Sequence, residues 1–376
     1  MIKIVAVLGN ENSMSSLALL SKHSDVELYA CQTMPEVIKY IKERKGNGFL
    51  PFWNSHAGEV TQSEVIDSLD NEEVKVVEML PNQIKFACIL KEGVSTINPD
   101  DEVISVHVAA HQCSSFIDGN TLNFIEGGST TKAFNTFKEE GYKIFLGAKE
   151  NMQNSNLKLF QEDVSNAYNF TSFALLQDPS ARVNHSQSTI LSLVEIPNPS
   201  ESEGSIQHQF LDTLFEDQEL NMDALAKPSF IRLKEDGRVH LIIEHHDLAG
   251  EDIISEDSDE LEVSTKQVGS LNKPYGVLAK KMMGNTFGLD IQEYDFLKHI
   301  GTKSCLFFCP ALNIYLHGYN ADIVEDFIKI FIEKYFIKYS EGIPTNSEQK
   351  SFFDRNFSSF EEYSMRNFKF IDIATC

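Results

Sequence analysis

The sequence is short of positive charge and has no long apolar run. Its 376 residues include 32 Lys and Arg against 56 Asp and Glu, a formal net charge of −24. Nucleic-acid and anionic-membrane binding both depend on clustered Lys and Arg, so we predict neither partner. No stretch of about 18 apolar residues occurs, and no membrane-spanning helix is predicted. A hydrophobic share of 42% is nevertheless enough for packed cores and excludes global disorder.

Cysteine is scarce as well, and its spacing forms no disulfide or metal framework. The six cysteines are Cys31, Cys88, Cys113, Cys305, Cys309 and Cys376. In a chain of this size they are predicted to be reduced and structural, as in a cytoplasmic protein. His245, His246 and Asp247 are consecutive, and neighbours on a strand point to opposite faces, so they do not suggest a shared ion. We therefore predict no metal and no cofactor. The N-terminal segment 1–8 lacks the features of a signal peptide and is predicted to be the first strand.

Residues 1–180 alternate between predicted strands and helices. Such β–α units are typical of an α/β domain with largely parallel sheets, whose ligands lie beyond the carboxyl ends of the strands. Three polar or glycine-rich loops fit that position, namely Gly9–Ser15, Asn54–Gly58 and Gly127–Thr130. Helix N-termini next to such loops point backbone N–H groups at anions.

The pattern changes after residue 180. Strands are predicted at Thr189–Ile196, Ser229–Leu233 and Arg238–His245, with a helix at Ser205–Phe215. This βαββ order within residues 188–250 is typical of a small α+β regulatory module. An acidic segment follows, and residues 251–376 are predicted to form an additional α+β domain that includes an amphipathic helix at Ala321–Lys338.

Five segments of the N-terminal region occur in the order of a known set of motifs. They are Gly9–Ser15, Pro51–Val60, Ser105–Cys113, Ser129-Thr130 and Asn169–Phe173. Within them, Asn54-Ser55, Gln112-Cys113 and Thr171 match the motif residues. In this order and at these separations the segments resemble the motifs of the prephenate dehydratase family.

The resemblance implies a fold and a set of roles. It implies an α/β fold with a two-lobed domain like type-II periplasmic binding proteins over residues 1–180, then an ACT-like α+β domain at 188–250. By resemblance Thr171 is the catalytic acid, and a small anionic substrate is bound by Ser13, Trp53, Asn54, Ser55, Ser129, Thr130 and Ser172. Gly204 and Ser205 would hold a regulatory ligand, and ACT-like domains pair into homodimers.

Several residues depart from the family pattern. The arginine after the motif threonine is Ser172, and a neutral hydroxyl cannot make the paired charged bonds that a guanidinium makes with a carboxylate. The glutamate before Asn-Ser is Trp53, and the histidine and glutamine of the middle motif are Val106 and Val108. Arg44 is the only arginine in residues 1–180. Lys132, close after Ser129-Thr130, is interpreted as a solvated first-turn lysine.

Three functional hypotheses follow from these matches and departures. The first is a prephenate dehydratase-like lyase acting on prephenate or a related cyclohexadienyl acid in the phenylalanine pathway. The second is a non-aromatising prephenate decarboxylase of a specialised-metabolite pathway, and the third is a catalytically inactive homologue that binds a small regulatory ligand. An active dehydratase requires a cation or several hydrogen-bond donors near Thr171, so an uncharged cleft would count against the first hypothesis.

Overall fold

The structure is a computed structural model of the chain. It describes residues 4–152, 156–166 and 169–180 nearly continuously, and later segments at 189–196, 227–233, 239–246, 264–271, 296–300, 305–312, 314–318, 347–356 and 370–372, with isolated residues of one helix between 325 and 340. The chain divides into two compact units. Met1–Lys75 with Met79–Arg182 form the first, and Val76–Glu78 with Val183–Cys376 form the second.

The first unit contains two sheets. One has the strand order β5–β11–β3–β1–β2, with the short β4 paired to β3. Its elements are β1 (Ile4–Leu8), α1 (Met14–Leu20), β2 (Glu27–Cys31), α2 (Met34–Arg44), β3 (Asn47–Asn54), β4 (Gly58–Glu59), α3 (Ser63–Asp70), β5 (Lys75–Gln83) and β11 (Phe170–Gln177). In α2 the apolar residues Val37, Ile38 and Ile41 share one face and are buried, as the helical period requires.

The other sheet has the order β10–β6–β9–β7–β8. Its elements are β6 (Ala87–Leu90), β7 (Glu102–Ser105), α4 (His107–Gln112), α5 (Ser114–Gly119), β8 (Asn123–Glu126), α6 (Thr130–Glu139), β9 (Ile144–Gly147) and β10 (Lys158–Gln161). Ala133 and Phe137 of α6 pack on Ile104 and Phe145 in one buried cluster. Full burial of a side chain such as Phe137 stabilises the fold by about 1.5–3 kcal/mol.

The two-sheet α/β architecture predicted for this region is confirmed, but the sheets are mixed rather than largely parallel. The pairs β1–β2, β1–β3, β7–β8 and β7–β9 are parallel. The pairs β3–β11, β6–β9 and β6–β10 are antiparallel. Helical crossovers within one sheet make strands parallel. The chain passes from one sheet to the other after β5 and returns before β11. A strand reached by such a passage can pair antiparallel with its neighbours, because no helical crossover within its own sheet precedes it.

Buried cysteines accompany both sheets. Burial, with a smaller contribution from the Glu36 carboxylate, raises the pKa of the Cys31 thiol to about 11, and burial raises that of Cys88 to about 12. These side chains therefore remain protonated thiols at neutral pH and act as packing groups. Within the described residues, no helix has the length and apolar character needed to cross a membrane.

The described residues of the second unit include two sets of four paired strands. In one, β12 (Thr189–Ile196) pairs antiparallel with β14 (Val239–His246) and β15 (Ser264–Leu271), and β14 pairs with β13 (Lys227–Leu233). In the other, β16 (Phe296–Ile300), β17 (Cys305–Cys309) and β18 (Ile314–Gly318) pair antiparallel, and β19 (Phe370–Asp372) is parallel to β16.

Some predicted features of this unit lie outside the described residues. They are the helix Ser205–Phe215, the regulatory positions Gly204 and Ser205, and the acidic segment after Ala249. Of the predicted helix Ala321–Lys338, the described Glu325, Ile328, Ile332 and Phe336 are helical. Ile328 and Ile332 are fully buried, so this helix packs by its apolar face. A further helix, α7, spans Ser347–Asn356.

Candidate functional site

A cavity of about 380 Å³ lies in the first unit and receives residues from both of its sheets. Its wall includes the turns that follow β1, β7 and β8, the start of α2, Pro51 of β3 and Thr171 and Phe173 of β11. The volume is within the range of small-molecule sites. The polar residues on the wall are hydroxyl and amide side chains, and the rest are mainly aliphatic or aromatic, such as Ile84, Phe86 and Val106.

A chain of buried amide side chains stands behind this wall. Asn54 is fully buried, and its Oδ1 accepts hydrogen bonds from the backbone N–H groups of His56, at 2.9 Å, and Ala57, at 2.8 Å. Those two donors fix which end of the Asn54 amide is the oxygen. Its Nδ2 must then donate, and its two protons are shared among Asn169 Oδ1 at 2.8 Å, Phe170 O at 2.9 Å and Thr171 Oγ1 at 3.0 Å.

The fixed orientation of Asn54 determines the orientation of the groups beyond it. Because Asn169 Oδ1 accepts from Asn54, its Nδ2 donates to Gln112 Oε1 at 2.9 Å. Gln112 Nε2 and the Thr171 hydroxyl proton are left as donors, and no partner for either lies within the described part of the chain. Gln112 and Thr171 are 4% and 5% exposed and both line the cavity. The amide chain thus presents donors, not acceptors, to a bound molecule.

The turn before α1 contributes both a structural serine and a site serine. Ser13 is the N-cap of α1: its Oγ accepts from the Ser16 backbone N–H at 3.2 Å and lies 2.8 Å from Leu8 O. Gly9 has φ of +86°, and a Cβ there would lie 2.7 Å from Ser13 Cβ, so the tight turn requires glycine. Ser15 is 5% exposed and lines the cavity, and its hydroxyl has no protein partner among the described residues.

The start of α6 forms the opposite part of the wall. Ser129 is the N-cap, and its Oγ accepts from the Lys132 backbone N–H at 3.2 Å. Gly128, Ser129 and Thr130 line the cavity. The exposed Lys132 side chain lies along this turn. A Cβ added to Gly128 would be 3.9 Å from Lys132 Nζ. First-turn N–H groups of a helix lack intrahelical partners, so this turn attracts anions.

Four of the eight residues predicted to act in catalysis or substrate binding are on the cavity wall, and four are behind it. Ser13, Ser129, Thr130 and Thr171 line the cavity, whereas Asn54, Ser55, Ser172 and Trp53 do not. Ser55 holds β11 in place: its Oγ accepts from Phe170 N at 3.2 Å and its N–H donates to Phe170 O at 3.0 Å. Ser172 and Trp53 face each other across the β11–β3 pair and are 3% and 1% exposed.

Two wall residues were not singled out by sequence reasoning as site residues. Ser15 and Gln112 both lie inside the segments that match the family motifs, and their positions there could have indicated them as site residues. Asn169, the link between Asn54 and Gln112, is likewise the first residue of its motif. Their roles depend on contacts such as Asn54 to Asn169, which join positions 115 residues apart in sequence.

The wall is electrically neutral in its side chains. Along the described ranges, none of the residues that line the cavity is Asp, Glu, Lys, Arg or His. Positive potential therefore comes from helix N-termini and from Lys132 at the edge, and hydrogen bonding comes from Ser15, Gln112 and Thr171. The arrangement can hold an oxygen-rich end of a small molecule by donors while an apolar body contacts Ile84, Phe86 and Phe173.

Comparison with known proteins agrees with this geometry. Residues 5–181 match the family model described as prephenate dehydratase. No curated protein gave a significant match. A prephenate dehydratase from Arthrobacter aurescens, solved in complex with L-Phe, is 17% identical with a TM-score of 0.54, covering 72% of this chain and 91% of that one. The prephenate dehydratase from Staphylococcus aureus subsp. aureus Mu50 is 16% identical with a TM-score of 0.53, covering 72% and 100%.

A third similar structure has a different description. It is GqqA, described as a novel type of quorum-quenching acylase, with 15% identity and a TM-score of 0.53, covering 73% of this chain and 99% of that one. At these identities the structural similarities show the fold alone. The family model and the motif order carry the assignment, and residues 5–181 of this chain match the prephenate dehydratase family.

Proposed function

We propose that the cavity is the site of a prephenate dehydratase-like lyase acting on prephenate or a related cyclohexadienyl acid, with Thr171 as the proton donor. The single observation that carries the proposal is the hydrogen bond from Asn54 Nδ2 to Thr171 Oγ1 at 3.0 Å. Because Asn54 Nδ2 is a donor and cannot accept from Thr171, the Thr171 O–H is left to donate into the cavity.

The reaction requires a proton donor at the departing hydroxyl. The bond between the ring and its carboxylate breaks, carbon dioxide leaves, and the electron pair enters the ring. The ring–hydroxyl bond then breaks, and the oxygen leaves as water with a proton from Thr171. Asn54 supports this role because its N–H stabilises the charge that develops on Thr171 Oγ1 as the proton departs. A positioned acid of this kind contributes about 10²–10⁴-fold in rate.

Ligand binding is assigned to the remaining donors of the wall. Gln112 Nε2 and the Ser15 hydroxyl would bind oxygen atoms of the substrate, and the start of α6 would hold a carboxylate. Asn54 and Ser55 act from behind the wall, by orienting Thr171 and fixing β11. The uncharged wall counts against an active dehydratase, and the proposal relies instead on the neutral donors Ser15, Gln112 and Thr171 that line the same cavity.

The neutral wall favours a second candidate as well. A non-aromatising decarboxylase, or a homologue that binds a small ligand without turnover, needs no guanidinium next to the threonine. Ser172, at the position of the family arginine, is buried outside the cavity lining. Product analysis with prephenate must therefore distinguish both alternatives from the lyase.

The second unit is proposed to carry regulation. The sheet order β13–β14–β12–β15, antiparallel throughout, supports an ACT-like domain. Its fourth strand, β15, lies beyond residue 250, so we propose that the ACT-like domain extends from about β12 to β15 and that the additional α+β domain follows it. We also propose that two chains pair through this domain, that Gly204 and Ser205 hold a regulatory ligand, and that the protein is cytoplasmic.

The test is product analysis with purified protein and prephenate, by absorbance and mass spectrometry. Wild type and Thr171→Ser should form phenylpyruvate, because serine keeps the hydroxyl. Thr171→Val, which keeps the shape but loses the proton, should fall by at least about 10²-fold. A decarboxylated non-aromatic product would replace the proposal by the decarboxylase, and ligand-induced thermal stabilisation without any product would replace it by the binding protein. Equal turnover by Thr171→Val would remove Thr171 as the acid.

A further inference from the structure

The charge of the cavity wall is distributed unevenly. Donors that face its interior are neutral: the Ser15 hydroxyl, Gln112 Nε2 and the Thr171 hydroxyl, all in side chains at least 95% buried. Lys132 lies at the edge of the cavity, beside Gly128. A carboxylate in the interior would therefore be desolvated without a counter-ion, which is costly even when it is hydrogen-bonded.

The helix starts at the cavity also differ in charge. Thr33 caps α2, but Glu36 lies in its first turn, and its carboxylate accepts from Gln32 N at 2.8 Å. Gln62 precedes α3, which has Glu64 in its first turn. The ten-residue α6 has no acidic residue in its first turn and has Lys132 there instead. The starts of α1 and α4 also line the cavity and have no acidic residue in their first turns, but these helices have only seven and six residues and no Lys or Arg there. Acidic residues offset the positive end of a helix dipole, so α6, with Lys132, is the start best suited to an anion.

We propose that this site has one anion-binding position, at Gly128–Thr131 beside Lys132, and that it selects acids with a single carboxylate over those with two. The rest of the ligand is an uncharged ring or chain with neutral oxygen atoms that accept from Ser15, Gln112 and Thr171. The inference rests on the proposed function and, among the acids that it names, favours a related cyclohexadienyl acid with one carboxylate over the dicarboxylate prephenate, which remains a weaker substrate.

The donors on the wall point to a ligand independently of the helix start. Among the described residues, the Ser15 hydroxyl and Gln112 Nε2 have no protein partner, and both residues line the cavity together with Thr171. Most donors of buried residues are satisfied in proteins, so water or a bound molecule in the cavity supplies these acceptors. Their neutrality matters as much as their number, because a hydroxyl or amide can bind a carbonyl or hydroxyl oxygen without requiring a net charge.

The experiment compares two probes that differ by one carboxylate on the same carbon. Dissociation constants for 3-phenylpropanoate and benzylmalonate are measured by titration calorimetry with the full chain, at about 0.15 M ionic strength so that long-range attraction is screened. We expect 3-phenylpropanoate to bind at least tenfold more tightly. Lys132→Gln should weaken its binding about two- to fivefold, the range for an exposed ion pair. Lys138→Gln, in the last turn of the same helix, is the matched control and should leave the dissociation constant of 3-phenylpropanoate unchanged.

The outcomes separate this inference from the proposed function. Equal or tighter binding of benzylmalonate, equal losses in Lys132→Gln and Lys138→Gln, or no binding of either probe at millimolar concentration would each overturn the single-carboxylate site. Efficient turnover of prephenate together with tight benzylmalonate binding would leave the lyase standing and remove the selectivity. A clear preference for 3-phenylpropanoate without turnover of any cyclohexadienyl acid would leave the selectivity and remove the lyase.

Discussion

Asn54 and Thr171 are directly opposite each other in the antiparallel β3–β11 pair, and their side chains are joined by a hydrogen bond of 3.0 Å from Nδ2 to Oγ1. The two residues are 117 positions apart in sequence. One end of Asn54 is held by the turn that follows β3, and the other end orients Thr171 and, through Asn169, Gln112. A residue that does not touch the cavity therefore determines which atoms the cavity presents.

Replacing the donor end of Asn54 tests this arrangement. Asn54→Asp keeps the shape but places a carboxyl oxygen against Asn169 Oδ1, Phe170 O and Thr171 Oγ1. An unpaired buried charge costs about 3–5 kcal/mol of stability. Burial raises the pKa of the introduced carboxyl above its unfolded value, so the loss should be small in acid and grow as the pH rises through the folded-state value.

The measurement is the melting temperature of Asn54→Asp and wild type between about pH 4 and pH 8, around and above the unfolded carboxyl pKa of about 3.9. Asn135→Asp, on the exposed face of α6, introduces the same charge as a control and should follow wild type. A loss in Asn54→Asp that does not change with pH would contradict the buried donor role of Nδ2.

The sequence predicts the local parts of the site better than the parts made by distant pairing. Ser13 and Ser129 were indicated by the family resemblance, whose turn motifs are contiguous in the sequence. The strand β11 was missed, since seven of its eight residues are buried and the sequence shows no alternation there. Trp53 was predicted to contact the ligand, but it is buried opposite Ser172, outside the cavity lining. The register of β3 against β11 shifts between Ser172 and Phe173, and no local pattern reveals such a shift.

Restoring the family arginine is expected to harm this protein. Ser172 is 3% exposed and does not line the cavity, so Ser172→Arg would bury a guanidinium with no carboxylate provided for it. We expect a loss of about 3 kcal/mol or more in the free energy of unfolding, and no gain in turnover of prephenate. Denaturant unfolding of Ser172→Arg is compared with Ser115→Arg at an exposed position of α5. Increased turnover at unchanged stability would show that position 172 opens into the cavity.

An ion pair near the second sheet should make stability depend on acidity. The hydrogen bond from Lys143 Nζ, at 2.7 Å, and the backbone N–H of Asn98 hold the pKa of the Asp101 carboxyl below its ordinary value. A carboxyl with a lowered folded-state pKa stabilises the protein above its unfolded pKa of about 3.9, and that contribution disappears as the pH falls through the folded-state value.

Asp101→Asn should therefore melt at a lower temperature than wild type near neutral pH, with the two curves converging in strong acid. Asp118→Asn, at an exposed position of α5, is the control and should follow wild type across the range. A difference between Asp101→Asn and wild type that persists unchanged at the lowest pH would assign the effect to packing or to the neutral hydrogen bonds instead of the charge.

The last prediction concerns Gly127, which is closely packed next to the proposed anion-binding turn Gly128–Thr131. A Cβ on Gly127 would lie 2.3 Å from Ala133 Cβ and 2.7 Å from its Cα, so Gly127→Ala must push α6 away from the end of β8. Overpacking of this kind costs about 1–3 kcal/mol. Because the same displacement moves Gly128–Thr131, binding of 3-phenylpropanoate should weaken together with thermal stability. Gly141→Ala, where a Cβ would meet nothing within 4 Å, should leave both unchanged. A destabilised Gly127→Ala protein that binds the acid as wild type does would show that the carboxylate is held elsewhere on the wall.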